Sequence, residues 1–347
     1  MSEIKKKQYN FLNALKIIAA FFVVAIHVHF PGDFGTGVIA VARFAVPFFF
    51  MVSGFFSYYG DKSSLKEKYK RKIKHVFVLF AGGTVLYFLF GTAVALYSGS
   101  VVDYFGKIFS IKSILEFLIF NNTSVSEFLW FLPALIYVYF VFYIFEKAGI
   151  TKKVYFLIPV LFVIGFVLRE SIEYLPAYPA LMSNGYVYRN FLFVGLPFFI
   201  LGHFIKANEE KLINKFSNPV LILLIIIGSA EAVAVALLHA QKSVYIGTFI
   251  AVFALFIFAV KNEEKYKFTN IADMGAKYSM YVYILHIIIK NVINKGGDIV
   301  PLAGKIIDIL EPVYPIVIFA AALIASALYV FVKDFFKKKM KKKKTEK

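Results

Sequence analysis

The chain has 347 residues, of which 60% are hydrophobic and 17% charged, and its mean hydropathy is +0.73. One soluble core cannot bury so large an apolar fraction, so the composition predicts an integral membrane protein. The absence of cysteine excludes disulfides, thiolate nucleophiles and cysteine-bound metals. The net charge of +18 comes from short basic segments between apolar runs, which favours a topology signal over nucleic-acid binding.

Apolar segments long enough to cross a bilayer predict an all-α protein with about ten transmembrane helices. We place them at roughly 11–30, 37–58, 75–98, 128–146, 153–169, 190–206, 218–239, 243–260, 277–295 and 314–334. The stretch 103–122 is apolar but interrupted by charges, and we expect it to lie along the outer membrane surface.

The distribution of basic residues predicts the orientation. With the N-terminus inside, the inner segments would hold about 29 of the 39 lysines and arginines, so the positive-inside rule predicts that both termini are cytoplasmic. We therefore expect one multi-pass domain over residues 1–335 in the cytoplasmic membrane, followed by a basic cytoplasmic tail over residues 336–347.

The first predicted helix carries Lys16 and His27, which are eleven positions apart. At 100° per residue they share one face, separated by a rise of about 16 Å. Lys16 could simply reach the cytoplasmic interface while His27 bonds a neighbour, or both could face a polar cavity. His29 points about 200° away from His27, so the pair cannot chelate one metal, and we expect no metal site.

The second span contains Arg43, whose guanidinium stays charged and therefore needs a partner or water. The basic run KEKYKRKIKH follows at residues 66–75. This run is either a topology signal in contact with anionic lipids or a cradle for phosphates, in which Arg71 and Lys74 share one helical face.

Polar residues recur in the later spans. The candidates are Glu127, Trp130, Arg189, Asn190, Glu231, and His286 with Lys290. Glu231 lies deep in an apolar run, so it is protonated or paired, and a structural pairing is as plausible as catalysis. Polar groups on several spans predict a bundle built around a polar path.

The stretch KIIAAFFVVAIH resembles the Lys/Arg-x10-His signature of the membrane acyltransferase-3 superfamily, ten-span bacterial enzymes that O-acylate surface polysaccharides and related acceptors. Five further stretches are similar to the family's elements, in the same order: PFFFMVSGFF, YKRKIK, LWFLPALI, RNFLFVGLPFFILGHFI and YSMYVYILH. Two departures stand out. Lys74 occupies a position where the family often has arginine, and no extracytoplasmic esterase-like domain follows, so we expect the chain to act alone or with a separate extracytoplasmic acyltransferase protein.

The resemblance implies an acyl-coenzyme A donor, with acetyl-CoA expected, that enters from the cytoplasm. It implies that Lys16, Arg71 and Lys74 bind the phosphates and that the thioester lies near His27. His27 would act as general base on an acceptor hydroxyl, or carry the acyl group itself. The acceptor would be an extracytoplasmic glycan or a lipid-linked glycan, and membrane lipids complete the expected partners.

The remaining candidates receive supporting roles from the same resemblance. Arg43, Arg189 and Asn190 would stabilise the oxyanion or orient the glycan. Glu127, Trp130, Glu231 and His286 would contact substrate. The main alternative is a transporter of a small solute such as an amino acid, because related membrane domains are attached to racemases. A scaffold or sensor is a third possibility, but it does not explain the register of Lys16 and His27.

Overall fold

The structure is a computed structural model that describes residues 8–174, 185–238, 245–266 and 268–345. Within these ranges the chain is helical and contains no strand. It divides into two compact units, one drawn from Met1–Ala45 and Glu210–Lys347 and the other from Val46–Glu209. The prediction of an all-α fold is confirmed for these residues.

Sixteen α-helices follow in chain order within the described residues: α1 (Asn10–His27), α2 (Gly32–Ala42), α3 (Ala45–Phe55), α4 (Leu65–Ser98), α5 (Val101–Ile108), α6 (Ile111–Phe120), α7 (Phe131–Lys147), α8 (Thr151–Val154), α9 (Leu157–Tyr174), α10 (Leu196–Ala207), α11 (Glu209–Lys215), α12 (Asn218–Leu238), α13 (Ile246–Lys261), α14 (Thr269–Ile299), α15 (Pro301–Leu310) and α16 (Tyr314–Thr345).

Seven helical stretches in the described residues are long and apolar enough to cross a membrane, against ten predicted spans. They are Asn10–His27, Gly32–Phe55, Leu65–Ser98, Glu127–Lys147, Thr151–Leu168, Asn218–Leu238 and Gly304–Met340. The number rises to eight if α10 and α11, with the π-helical turn before them, count as one span that is bent by 86°. The predicted tail continues α16 as helix through Thr345.

The other two predicted spans are helical but do not reach the same length or hydropathy. Residues 245–260 of the predicted span 243–260 belong mainly to α13, which has only 16 residues, while positions 243 and 244 lie outside the described residues. The predicted span 277–295 lies inside the 31-residue α14, where Lys277, His286 and Lys290 lower the mean hydropathy. The stretch 103–122 forms α5 and α6, each too short to span a bilayer, and neither has a fully buried residue.

In the first unit, α1 packs along α14, and the two helices run parallel. Gly275 of α14 lies against α1 so closely that a Cβ atom there would come within 1.8 Å of the carbonyl oxygen of Asn13. Eleven residues further along α14, His286 lies beside His27 of α1. A glycine at the crossing therefore brings the polar faces of both helices together.

Opposite charges hold the two ends of α1. The Glu263 carboxylate accepts hydrogen bonds from the backbone N–H groups of Asn10 and Phe11 at the N-terminus of the helix. At the C-terminus, the Lys290 ammonium donates to the carbonyl of His27 at 2.8 Å. Each charge matches the sign that the helix dipole favours at that end, and each satisfies backbone groups that the helix itself leaves open.

The helices α12 and α13 form an antiparallel hairpin in the same unit. Asn218 and Asn262 exchange side-chain hydrogen bonds of 2.9 and 3.0 Å at its open end. Gly228, midway along α12, faces Gly247 at the start of α13, and a Cβ atom on Gly228 would meet the Gly247 carbonyl oxygen at 2.4 Å. The two glycines thus allow the backbones to approach closely.

In the second unit, a pair of glycines sets the crossing of α3 and α10. A Cβ atom on Gly54 would lie 1.9 Å from the Phe199 carbonyl oxygen, and one on Gly202 would lie 1.9 Å from the Met51 carbonyl oxygen. The glycine of the SGFF stretch is therefore required for packing. Elsewhere in this unit, α4 packs along α7, with the Tyr69 ring against Tyr139.

Candidate active site

The predicted polar face of α1 begins at Lys16. The Lys16 ammonium donates a hydrogen bond of 2.8 Å to the side-chain oxygen of Asn13, one turn earlier. Asn13 is also the residue whose carbonyl lies against Gly275 of α14. Lys16 therefore lies one turn from a close contact between α1 and α14, and His27 lies on the same face at the far end of α1, after a rise of about 16 Å.

His27 and His286 form a pair of imidazoles. Their ring centroids are 5.5 Å apart and the rings are tilted by 31°. His286 is fully buried, and its Nδ1 lies 2.8 Å from the Tyr283 carbonyl oxygen. Because a carbonyl only accepts, Nδ1 carries the proton and the Nε2 of neutral His286 is a proton acceptor.

The Nε2 atom of His286 is buried and makes no hydrogen bond to any other described residue. A buried acceptor without a donor is costly, so the position favours a bound polar group. His286, which the sequence analysis assigned to substrate contact, thus lies beside the proposed base, 259 positions away in the chain from His27.

Lys290 is a further polar residue at this end of α1. It lies one turn after His286, is half-buried, and holds the His27 carbonyl. No role was predicted for Lys290 from its position in the sequence. The four-residue spacing of His286 and Lys290 in an apolar run was the available signal, because it places both on one helical face. The carbonyl that Lys290 contacts could not be predicted from spacing.

His29 lies outside this arrangement. It is exposed, and its Nε2 is 2.9 Å from the carbonyl oxygen of Ile26 in its own chain segment. The helix α1 ends at His27, so His29 lies beyond the regular helix on which the prediction of opposite faces was based. Among the described residues, no group of three or more histidine, aspartate and glutamate side chains could hold a metal ion.

Arg43 lies at a break in the second predicted span. The helix α2 ends at Ala42 and α3 begins at Ala45, so the second predicted span, which is long and apolar enough to cross a membrane, is interrupted by a turn that the prediction did not include. The ring of the next residue, Phe44, lies 5.3 Å from that of Phe22 on α1. Phe22 comes five residues before His27, which is a rise of roughly 8 Å along α1. Arg43, next to Phe44, therefore lies about that far from the level of His27.

Glu231 occupies a structural position. Its carboxylate accepts a hydrogen bond of 2.9 Å from the backbone N–H of Gly247, the second residue of α13. A carboxylate at a helix N-terminus satisfies an open donor and stabilises the helix dipole. Of the two interpretations of Glu231, this geometry supports the structural pairing.

The basic residues of the second unit lie on α4. Arg71 and Lys74 are both exposed and are about 60° apart around the helix, so they project from one face as expected. The Arg71 Nε donates to the Glu67 carbonyl at 3.3 Å. Between them, Lys72 turns inward and donates to the Phe56 carbonyl at 2.6 Å.

The loop between α3 and α4 packs under these basic residues. Burial raises the pKa of Tyr59 to about 12, the Glu146 carboxylate adds to the shift, and Arg71 opposes it. Tyr59 therefore stays neutral near pH 7. Hydrogen bonds from Ser63 lower the pKa of Asp61, which remains a carboxylate beside Lys68. Lys68 and Lys72 thus fasten the loop, while Arg71 and Lys74 face outward.

The remaining candidates lie on the segments before α7 and α10. The Arg189 guanidinium lies 5.7 Å from the ring centre of Trp130, in a cation–π contact. Glu127 is exposed at the start of the 3-10 turn Glu127–Leu129. Asn190 is buried, and its amide bonds four backbone groups around the π-helical turn Phe191–Gly195. Its side chain therefore shapes this turn.

Residues 9–331 match the model of a protein family described as an acyltransferase domain, acyltransferase-3. The chain belongs to the acyltransferase-3 family. The match covers nearly the whole sequence, so the resemblance that six short stretches indicated is confirmed. The described part of this acyltransferase-3 chain has the apolar helices of a multi-pass membrane protein.

The acyltransferase-3 chain is also similar to an amino-acid racemase from Enterococcus faecalis, with 28% identity over 221 residues. The aligned region covers 60% of this chain but only 29% of that protein. No solved structure matches the acyltransferase-3 chain.

Proposed function

We propose that this acyltransferase transfers an acyl group, with acetyl as the expected group, from cytoplasmic acyl-CoA to a hydroxyl of an extracytoplasmic glycan or related cell-envelope acceptor. The observation that supports this proposal is the pair of His27 and His286 on parallel helices within an acyltransferase-3 chain. An imidazole near neutral pH can remove a proton from a hydroxyl, and a second, tautomer-fixed imidazole can orient the first or the acceptor.

In the proposed reaction, His27 takes the proton of the acceptor hydroxyl as its oxygen attacks the thioester carbonyl. An ester bond forms, the carbon–sulfur bond breaks, and the imidazolium returns its proton to the departing CoA thiolate. His286 accepts a hydrogen bond from His27 or from the acceptor through Nε2. Lys290 positions His27 by holding its carbonyl.

Charged groups have supporting roles in this proposal. Arg43 stabilises the negative charge that develops on the thioester oxygen. Lys16, Arg71 and Lys74 bind the phosphates of the donor, for which their charge and the exposure of the two α4 residues are suited. Arg189 and Trp130, held together by their cation–π contact, bind the acceptor with Glu127. Asn190 acts as a positioning residue through the turn that it holds.

We also propose that the bent pair α10–α11, α13 and α14 cross the membrane, which gives ten spans and two cytoplasmic termini. The basic inner segments and the even number of spans support this orientation. The racemase relative is named for racemisation, so it gives no support to a transporter.

The test measures CoA release from acetyl-CoA by purified protein in proteoliposomes, with cell-envelope polysaccharides as acceptor. A thiol reagent reports the released CoA alone, because the chain has no cysteine. We expect His27→Ala to lower transfer by about 10²- to 10⁴-fold, since general-base catalysis contributes that much. We expect acetyl-CoA binding and the melting temperature to change little.

His29→Ala is the matched control, because His29 is exposed and makes only a local contact. It should transfer acetyl groups nearly as well as the parent. Full transfer by His27→Ala would refute the mechanism. A lowered melting temperature with normal transfer per folded molecule would assign His27 to packing.

A further inference from the structure

A surface groove of about 420 Å³ lies between α4 and α7 in the second unit. Lys66, Lys70 and Lys74 line it at intervals of four residues, so they follow one face of α4. The rest of the lining is apolar or aromatic, and consists of Tyr69, Ile73, Phe77, Phe140 and Tyr143. The groove therefore combines a row of ammonium groups with an apolar floor.

The three lysines have no partner among the described residues, whereas their neighbours do. Lys68 and Lys72 bond the α3–α4 loop. No hydrogen bond, ion pair or ring contact engages Lys66, Lys70 or Lys74, and no carboxylate lines the groove. Three positive charges around one groove favour an anionic occupant.

The length of α4 places the groove at the edge of the membrane. The helix has 34 residues and would extend about 51 Å, which exceeds the hydrocarbon core of about 30 Å. Its uncharged part begins at Val76 and is long enough to cross the core. Lys74 then lies at the boundary, and Lys70 lies about 6 Å further out, at the level of the lipid headgroups.

We propose that this groove binds an anionic phospholipid of the adjoining leaflet. Lys66 and Lys70 bind its phosphate, and the exposed rings of Phe77 and Phe140 contact the first part of its acyl chains. A phospholipid fits because it presents an anion and an apolar chain at the same membrane depth. The groove shares Lys74 with the residues proposed for the donor, but the lipid phosphate is bound by Lys66 and Lys70, which have no role in the proposed acyl transfer.

The test uses tryptophan fluorescence in vesicles. Phe77→Trp combined with Trp130→Phe places the chain's one tryptophan in the groove, because Trp130 is the only native one. Brominated phosphatidylglycerol and brominated phosphatidylcholine are compared as quenchers at low salt. We expect stronger quenching by phosphatidylglycerol, and a loss of about 10- to 30-fold in relative affinity when Lys66→Gln and Lys70→Gln are added, since each lysine near anionic lipid contributes about fivefold.

The control pair is Lys152→Gln with Lys153→Gln, two exposed lysines outside the groove. It should retain the preference for phosphatidylglycerol. Equal quenching by the two lipids, or an equal loss of preference in the control pair, would overturn the proposal. Displacement of brominated phosphatidylglycerol by coenzyme A at matched ionic strength would also overturn it, because the groove would then belong to the donor.

Discussion

Gly275→Ala tests whether the α1–α14 contact sets the geometry of the candidate site. A Cβ atom at this position would lie 1.8 Å from the Asn13 carbonyl oxygen, whereas a carbon and an oxygen normally stay at least about 3.3 Å apart. The helices must therefore separate by about 1.5 Å. Overpacking of this kind costs about 1–3 kcal/mol, while alanine in a helix gains about 1 kcal/mol over glycine.

Gly296 provides a control on the same helix. Nothing lies within 4 Å of a Cβ atom built there, so Gly296→Ala gains the helix propensity without the clash. The two variants should differ by about 1–3 kcal/mol in stability, the cost of the clash alone, because both gain the same helix propensity. Thermal unfolding in detergent, followed by circular dichroism, compares them. Equal melting temperatures would refute the close crossing.

Two other substitutions separate positioning from direct chemistry. Lys290→Met should lower kcat about tenfold, because it removes a charge-assisted hydrogen bond to His27. The KM for acetyl-CoA should change little, and Lys290→Arg should retain most activity. An unchanged kcat in Lys290→Met would remove Lys290 from the proposed mechanism. Glu231→Ala should lower the melting temperature more than Glu231→Gln, because the glutamine keeps an acceptor for the Gly247 N–H at the α13 N-terminus. Loss of transfer in Glu231→Gln at an unchanged melting temperature would instead assign Glu231 to substrate binding.

The sequence predicted the features that depend on local composition. Apolar runs indicated the helices, because a bilayer requires about 20 apolar residues in a row. Hydropathy averaged along the chain missed the break after Ala42, because it is insensitive to a turn inside an apolar run. It also predicted too short a helix for α14, because the polar residues of α14 lower the local mean hydropathy. The shared face of Lys16 and His27 was predictable because a helix has a fixed period.

The pairings between distant residues could not be predicted. His27 and His286 lie 259 positions apart, and nothing in either local pattern indicates the other. Glu231 shows the opposite problem, because a carboxylate in an apolar run has the same sequence signature whether it binds substrate or caps α13. Side-chain roles of this kind depend on tertiary contacts.

The two charges at the ends of α1 also bear on how the protein is made. This helix leaves the ribosome well before its partners, because Glu263 and Lys290 are encoded more than 250 residues later. At roughly 5–20 residues per second, synthesis reaches Lys290 about 13–55 s after α1. During that interval α1 resides in the bilayer without either partner, so its polar face needs shielding by a chaperone or insertase. Ribosome-stalled chains that end before Glu263 should therefore retain α1 beside the insertion machinery.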